Sequence, residues 1–173
     1  MPACEQCGFD YDSVASAEVP GALISIGEAL GEGLSTADGE ALRRRPRPEV
    51  WSALEYACHV RDVLLVQRDR LFRALVEDTP DFARMHREER LVLERYNDQD
   101  PRAVEDQVGV AAQLAAGAFA CLDGAQWRRP LRYNWPDNQV RDVRWLAAHT
   151  IHEGRHHLGD FAAVVSGQAP GQG

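Results

Sequence analysis

The chain has 173 residues, 45% of them hydrophobic and 27% charged, and carries a formal net charge of -8. That length buries one core, and the composition is that of a single globular domain. The acidic balance argues against nucleic acid or an anionic membrane as the main partner. Every basic residue is an arginine, which excludes Schiff-base chemistry through a lysine and suits a GC-rich genome.

No basic region followed by an apolar run opens the sequence, and charge interrupts every apolar stretch before membrane-spanning length. A cytoplasmic protein is therefore expected, with its four cysteines serving as thiols or metal ligands rather than as disulfides.

Cys4-Glu5-Gln6-Cys7-Gly8 is half of a zinc-knuckle pattern. No second pair completes it, so a surface ornament ranks ahead of a redox pair or a partial metal site. From Pro20 to Leu34 apolar residues recur at three- and four-residue steps, which predicts a helix. Arg43 to Pro48 is a basic, proline-punctuated connector. A second helix is expected from Pro48-Glu49 to Val76, and a charged helical piece from Ala83 to Tyr96 lies in the long connection after it. Asp100-Pro101 offers an N-cap and a first-turn proline for a third helix, running to Leu122. Its many alanines allow close packing. Cys58 and Cys121, in apolar helical surroundings, are expected in the core. The loop from Asp123 to Asn138 carries Trp127, Tyr133 and Trp135, aromatic rings fit to line a pocket or cover a bundle end. A fourth helix is expected from Val140 to Ser166. No strand-like alternation and no internal repeat are visible. The pattern is all-α, a four-helix bundle with a long connection between helices 2 and 3. It divides into an N-terminal CxxC segment (1–17), the bundle (18–167) and a disordered tail (168–173).

The fourth helix holds four of the six histidines: His149, His152, His156 and His157. His152 and His156 stand four residues apart and so share a helix face, supplying half of a tetrahedral metal shell. His59, in the apolar first half of helix 2, is the natural third ligand. A second, aliphatic seam (Val143, Ala147, Ile151, Leu158, Phe161, Val165) lies roughly opposite the histidines. The histidine seam is expected to face a cleft in the bundle, and the aliphatic seam to pack against another helix or a second subunit in a homodimer. His152-Glu153-Gly154-Arg155-His156 also matches the zinc-protease pattern H-E-x-x-H. The longer form of that motif needs a ligand at position 162, where this chain has Ala162, and no carboxylate follows Asp160. A protease is therefore disfavoured.

The single histidine after Trp51-Ser52-Ala53-Leu54-Glu55-Tyr56-Ala57-Cys58, with His-x-x-x-His-His on the last helix, resembles the DinB/YfiT-like superfamily from Val19 to Val165. The resemblance implies a four-helix bundle in which three histidines hold a divalent metal, here His59, His152 and His156. It leaves His149 and His157 as spare or supporting residues. It implies thiol S-transferase or thiol-dependent isomerase chemistry on small electrophiles through a metal-activated thiolate. Zinc is expected before nickel. The co-substrate is a low-molecular-weight thiol, expected to be mycothiol in a GC-rich, actinobacterial setting. Glu153 is expected as a base or a partner to a ligand, as is Glu55, and Tyr56 and Arg155 as substrate contacts. The competing readings are a metal-dependent hydrolase using water and a non-catalytic metal-binding stress protein.

Overall fold

The computed structural model describes residues 3–134 and 138–168. Six helices form: α1 (Val19–Thr36), α2 (Gly39–Arg43), α3 (Ala53–Val76), α4 (Arg87–Leu93), α5 (Pro101–Ala120) and α6 (Val143–Val165). The four long ones, α1, α3, α5 and α6, make the bundle.

Each long helix starts where its sequence provides a stop. Pro20 sits in the first turn of α1. Ser52 caps α3 in a reciprocal box: the Glu55 amide donates to Ser52 Oγ at 3.2 Å, and the Ser52 amide donates to Glu55 Oε2 at 2.7 Å. That box explains why α3 begins at Ala53 and not at the proline upstream. Asp100 caps α5 by accepting from the Ala103 amide. Asp142 caps α6 by accepting from the Trp145 amide at 2.9 Å.

α1 packs on α5 and α6, and α3 packs on the same two helices. Consecutive bundle helices α1 and α3 thus stand across from each other, as do α5 and α6. Only the α3-to-α5 connection joins neighbours in the ring; the other two cross the bundle. Small residues set the spacing. A Cβ on Gly27 of α1 would lie 2.6 Å from Ala112 Cβ of α5, and one on Gly154 of α6 would lie 2.8 Å from Ile26 Cδ1 of α1. Gly33 of α1 likewise makes room for the Phe161 ring of α6.

The connections depart from the sequence reading in three places. A small sheet forms, with β2 (Pro130–Asn134) antiparallel to β3 (Asn138–Asp142) and parallel to β1 (Asp81–Phe82). β2 alternates buried Leu131 and Tyr133 with half-buried neighbours, a pattern of two apolar residues that is too short to read as a strand. β3 also takes the three residues expected to open the last helix. The charged piece between α3 and α5 is shorter than expected. His86 (φ 55°) and Arg95 (φ 50°), both left-handed, bracket it. Finally, Cys58 is buried but Cys121, just past the end of α5, is exposed. Of the aromatic loop, Trp127 stacks on Phe119 and so covers the bundle; Trp135 lies outside the described residues. Residues 169–173 of the expected tail do as well. No helix among the described residues is long and apolar enough to cross a membrane.

Candidate metal centre

α6 presents two pairs of potential ligands, each spaced by four residues and offset from each other by one: His152 with His156, and Glu153 with His157. One residue is about 100° of helix rotation, so the pairs look in different directions. Glu153 and His157 face α3, where they meet His59. His152 and His156 face the N-terminal segment, where they meet Cys4 and Cys7. In each of these two sets the ligand atoms lie within 4.8 Å of one another. Two overlapping sets, His149 with His152 and Glu153, and His156 with His157 and Asp160, meet the same limit among the described residues.

The inner set is enclosed by aromatic rings. His59 is 1% exposed, and neither of its ring nitrogens has a hydrogen-bond partner. Its ring meets His157 edge-on at 4.8 Å and Trp51 at 5.2 Å. Burial, with His157 beside it, pushes the His59 pKa down to about 3, so the ring is neutral. His157 Nδ1 lies 2.9 Å from Asp160 Oδ2 and its Nε2 lies 3.8 Å from Glu153 Oε2. An Nδ1–H donated to Asp160 leaves the Nε2 lone pair turned toward Glu153. Burial alone would raise the Glu153 carboxyl, but the hydrogen bond from His152 and the surrounding His149, His157 and His59 rings hold it well below the usual carboxylate range. Two imidazoles and a carboxylate therefore converge, with both His59 nitrogens unsatisfied. Leaving a buried polar atom unpaired costs about 1–3 kcal/mol, and a bound cation relieves that cost. The donor set fits a divalent metal.

The outer side of α6 is covered by the chain's own N-terminal segment. Tyr11 Oη lies 3.1 Å from His149 Nδ1 and 2.9 Å from His152 Nδ1, and the Phe9 ring packs on His152 at 5.3 Å. Trp145 stacks on His149 at 4.8 Å, and Tyr133 meets it edge-on at 5.1 Å. The aliphatic seam faces inward, with Val143, Ala147, Ile151 and Phe161 in the core. The aliphatic seam thus packs against the other helices, and the histidine side, expected to face a cleft, is covered by the N-terminal segment.

The structure divides the expected ligand trio. His59 sits with Glu153 and His157, while His152 and His156 sit with the two cysteines. His157 is the residue that sequence reasoning set aside, although Glu153-x-x-x-His157 has the same spacing as the pair that was chosen. Tyr56 is at the inner set, its ring stacked on His157 at 5.6 Å, and burial pushes its hydroxyl up to about 12. Arg155 is exposed and points away, its guanidinium over the Phe9 ring at 5.9 Å. Glu55 is committed elsewhere, to the α3 cap and to Arg45. Cys4 and Cys7 lie directly over the histidines.

The family model described as the DinB superfamily matches residues 28–161. No protein of curated function matches the sequence. YfiT from Bacillus subtilis, described as a probable metal-dependent hydrolase with an unusual four-helix bundle topology, superposes with a TM-score of 0.77. It is 14% identical, with 90% of this chain and 87% of that one covered. A mycothiol-dependent maleylpyruvate isomerase, in a form with one histidine changed to alanine, superposes with a TM-score of 0.70 at 13% identity. This match covers 87% of the present chain and 62% of the isomerase. At these identities the likeness is one of fold.

Proposed function

The chain belongs to the DinB superfamily, and from that premise we propose that it is a metal-dependent enzyme whose metal is held by His59, Glu153 and His157. The observation that carries this reading is the buried His59 ring with two unpaired nitrogens, facing a carboxylate and a second imidazole. Two imidazoles and one carboxylate are a ligand set of catalytic type, three protein ligands with a position left open. A divalent ion there, zinc before nickel, would supply Lewis acidity, making a coordinated thiol or water acidic enough to deprotonate near neutral pH.

The residues around that position have separate tasks. Asp160 fixes the tautomer and orientation of His157. Trp51 and Tyr56 wall the site, and the protonated Tyr56 hydroxyl can donate a hydrogen bond to a small substrate. Glu153 serves as a ligand rather than as the general base. The substrate is a small electrophile and the co-substrate a low-molecular-weight thiol of mycothiol type. The reaction class is thiol transfer or thiol-assisted isomerisation. Support for the thiol comes from one fold relative that uses mycothiol. The other, a probable hydrolase, supports water as the second reading.

The test is metal content and turnover. Purified protein should carry metal, and His59→Ala and Glu153→Gln should each lower it by one equivalent per chain. Small electrophiles should turn over in its presence with added mycothiol and fail without it. Turnover of esters or amides without thiol would move the assignment to hydrolysis. Full metal retention in both variants at the inner site would overturn the ligand set.

A further inference from the structure

Four side chains outside the proposed active site also converge: Cys4, Cys7, His152 and His156. We propose that they form a second metal site, a closed Cys2His2 site for zinc that fastens the N-terminal segment onto α6. This goes beyond the proposed function, because these residues leave no open position and the site is structural.

The local backbone is built for thiolates. The Gly8 amide donates to the Cys4 carbonyl at 2.8 Å, and the Cys4 amide donates to the Phe9 carbonyl at 2.9 Å. The chain thus folds back around the two sulfurs. Gly8 takes φ +70°, which favours glycine directly after the second cysteine. Backbone amides of Cys7 and Gln6 are directed at the Cys4 sulfur, and that of Phe9 at the Cys7 sulfur. A metal-binding thiol needs such surroundings, since the thiolate is the ligand.

The histidines supply the independent observation. His152 is 8% exposed, and its buried Nε2 has no hydrogen-bond partner. His156 has a buried Nδ1 in the same condition. The opposite nitrogen of the His152 ring has a partner: His152 Nδ1 lies 2.9 Å from Tyr11 Oη. A second partner on the far nitrogen fixes the tautomer that leaves the near nitrogen free to ligate. Ligand atoms around tetrahedral zinc stand about 3.3–3.8 Å apart, given bonds of about 2.0–2.3 Å. Separations within 4.8 Å need only a small contraction to reach that.

Such a site explains why the half-knuckle lacks a second cysteine pair in sequence. The last helix completes it. It also explains why Phe9 and Tyr11 hold fixed positions over α6, since both follow the second cysteine by only a few residues.

Cobalt distinguishes the two sites, because a thiolate–cobalt bond adds a near-ultraviolet charge-transfer band that nitrogen and oxygen ligands lack. Full-length protein, reduced with a phosphine and stripped of metal, is titrated anaerobically with cobalt(II). The expected result is two equivalents per chain with the thiolate band. Cys4→Ser/Cys7→Ser should abolish the band and reduce binding to one equivalent, with helical circular dichroism unchanged. His152→Ala should weaken or distort the band. His59→Ala should keep the band and lose the other equivalent. One equivalent with the band, unaffected by His59→Ala, would defeat the proposed active site and leave this second site standing. Absence of the band in reduced wild-type protein would overturn the second site. So would a band that survives loss of both histidines.

Discussion

The two ligand pairs of α6 differ by one residue in sequence and by everything in surroundings. Glu153 and His157 look into the bundle, at a buried ring on α3 and the aromatic walls of Trp51 and Tyr56. His152 and His156 look outward at the segment carrying Cys4 and Cys7. Identical spacing has produced two clusters of different chemical character, one of two imidazoles and a carboxylate and one of two imidazoles and two thiols. The comparison teaches that spacing on a helix selects a face, while the partner across that face selects the chemistry.

The largest expected effect separates the faces outright. His59→Ala should lower turnover by at least about 100-fold, since loss of a supporting partner alone costs 10–100-fold in metal sites. Cys4→Ser/Cys7→Ser should leave metal at the inner site. Elemental analysis beside a turnover assay reads both, and loss of the inner metal in the cysteine variant would collapse the distinction. Next in size is Asp160→Asn, which disturbs the His157 Nδ1 partner. Metal affinity at the inner site should fall by about 10–100-fold, measured by competition with a chelator.

Acid sharpens the contrast in metal-free protein. His59 and His149 are held down to about 3 and about 4 by burial. Below about pH 6.5 the unfolded chain takes up protons there that the native chain does not. Stability is therefore complete above that pH and falls toward pH 4, by about 1.4 kcal/mol per pH unit for each histidine. His152 runs the other way. Burial lowers its pKa, but Glu153 and Cys4 outweigh that and raise it, so its contribution is present in acid and lost as pH rises through the folded value. Urea midpoints between pH 7 and 5 should show the net fall, and His59→Leu should reduce the slope. An unchanged midpoint across that range would contradict neutral burial of the two rings. The smallest effect is Tyr11→Phe. It keeps the ring packing and removes the hydroxyl shared by His149 and His152, at a cost of about 1 kcal/mol in thermal unfolding.

Much of this architecture is legible in the sequence because long helices carry strong periodic signals. Asp100-Pro101 marks the start of α5 to the residue, and the placement of His59 on an apolar helix identifies it as the buried ring. The sheet is not legible, since β1 pairs two residues with a strand far along the chain. The choice between His156 and His157 is not legible either. It depends on how α6 is rotated in the bundle, which is set by contacts such as Gly154 on Ile26 of α1 and by no local pattern. The proximity of Cys4 and Cys7 to His152 and His156 is not legible for a similar reason: these neighbours lie at the opposite end of the chain.

That distance bears on how the molecule is made. The Tyr11 hydroxyl meets a ring 141 residues further along. Contacts of such long range form late, because the intervening chain must close first. During synthesis the segment from Cys4 to Tyr11 has no α6 to settle on until that helix has been translated and docked. The cysteine pair is thus made well before the surface on which it comes to rest.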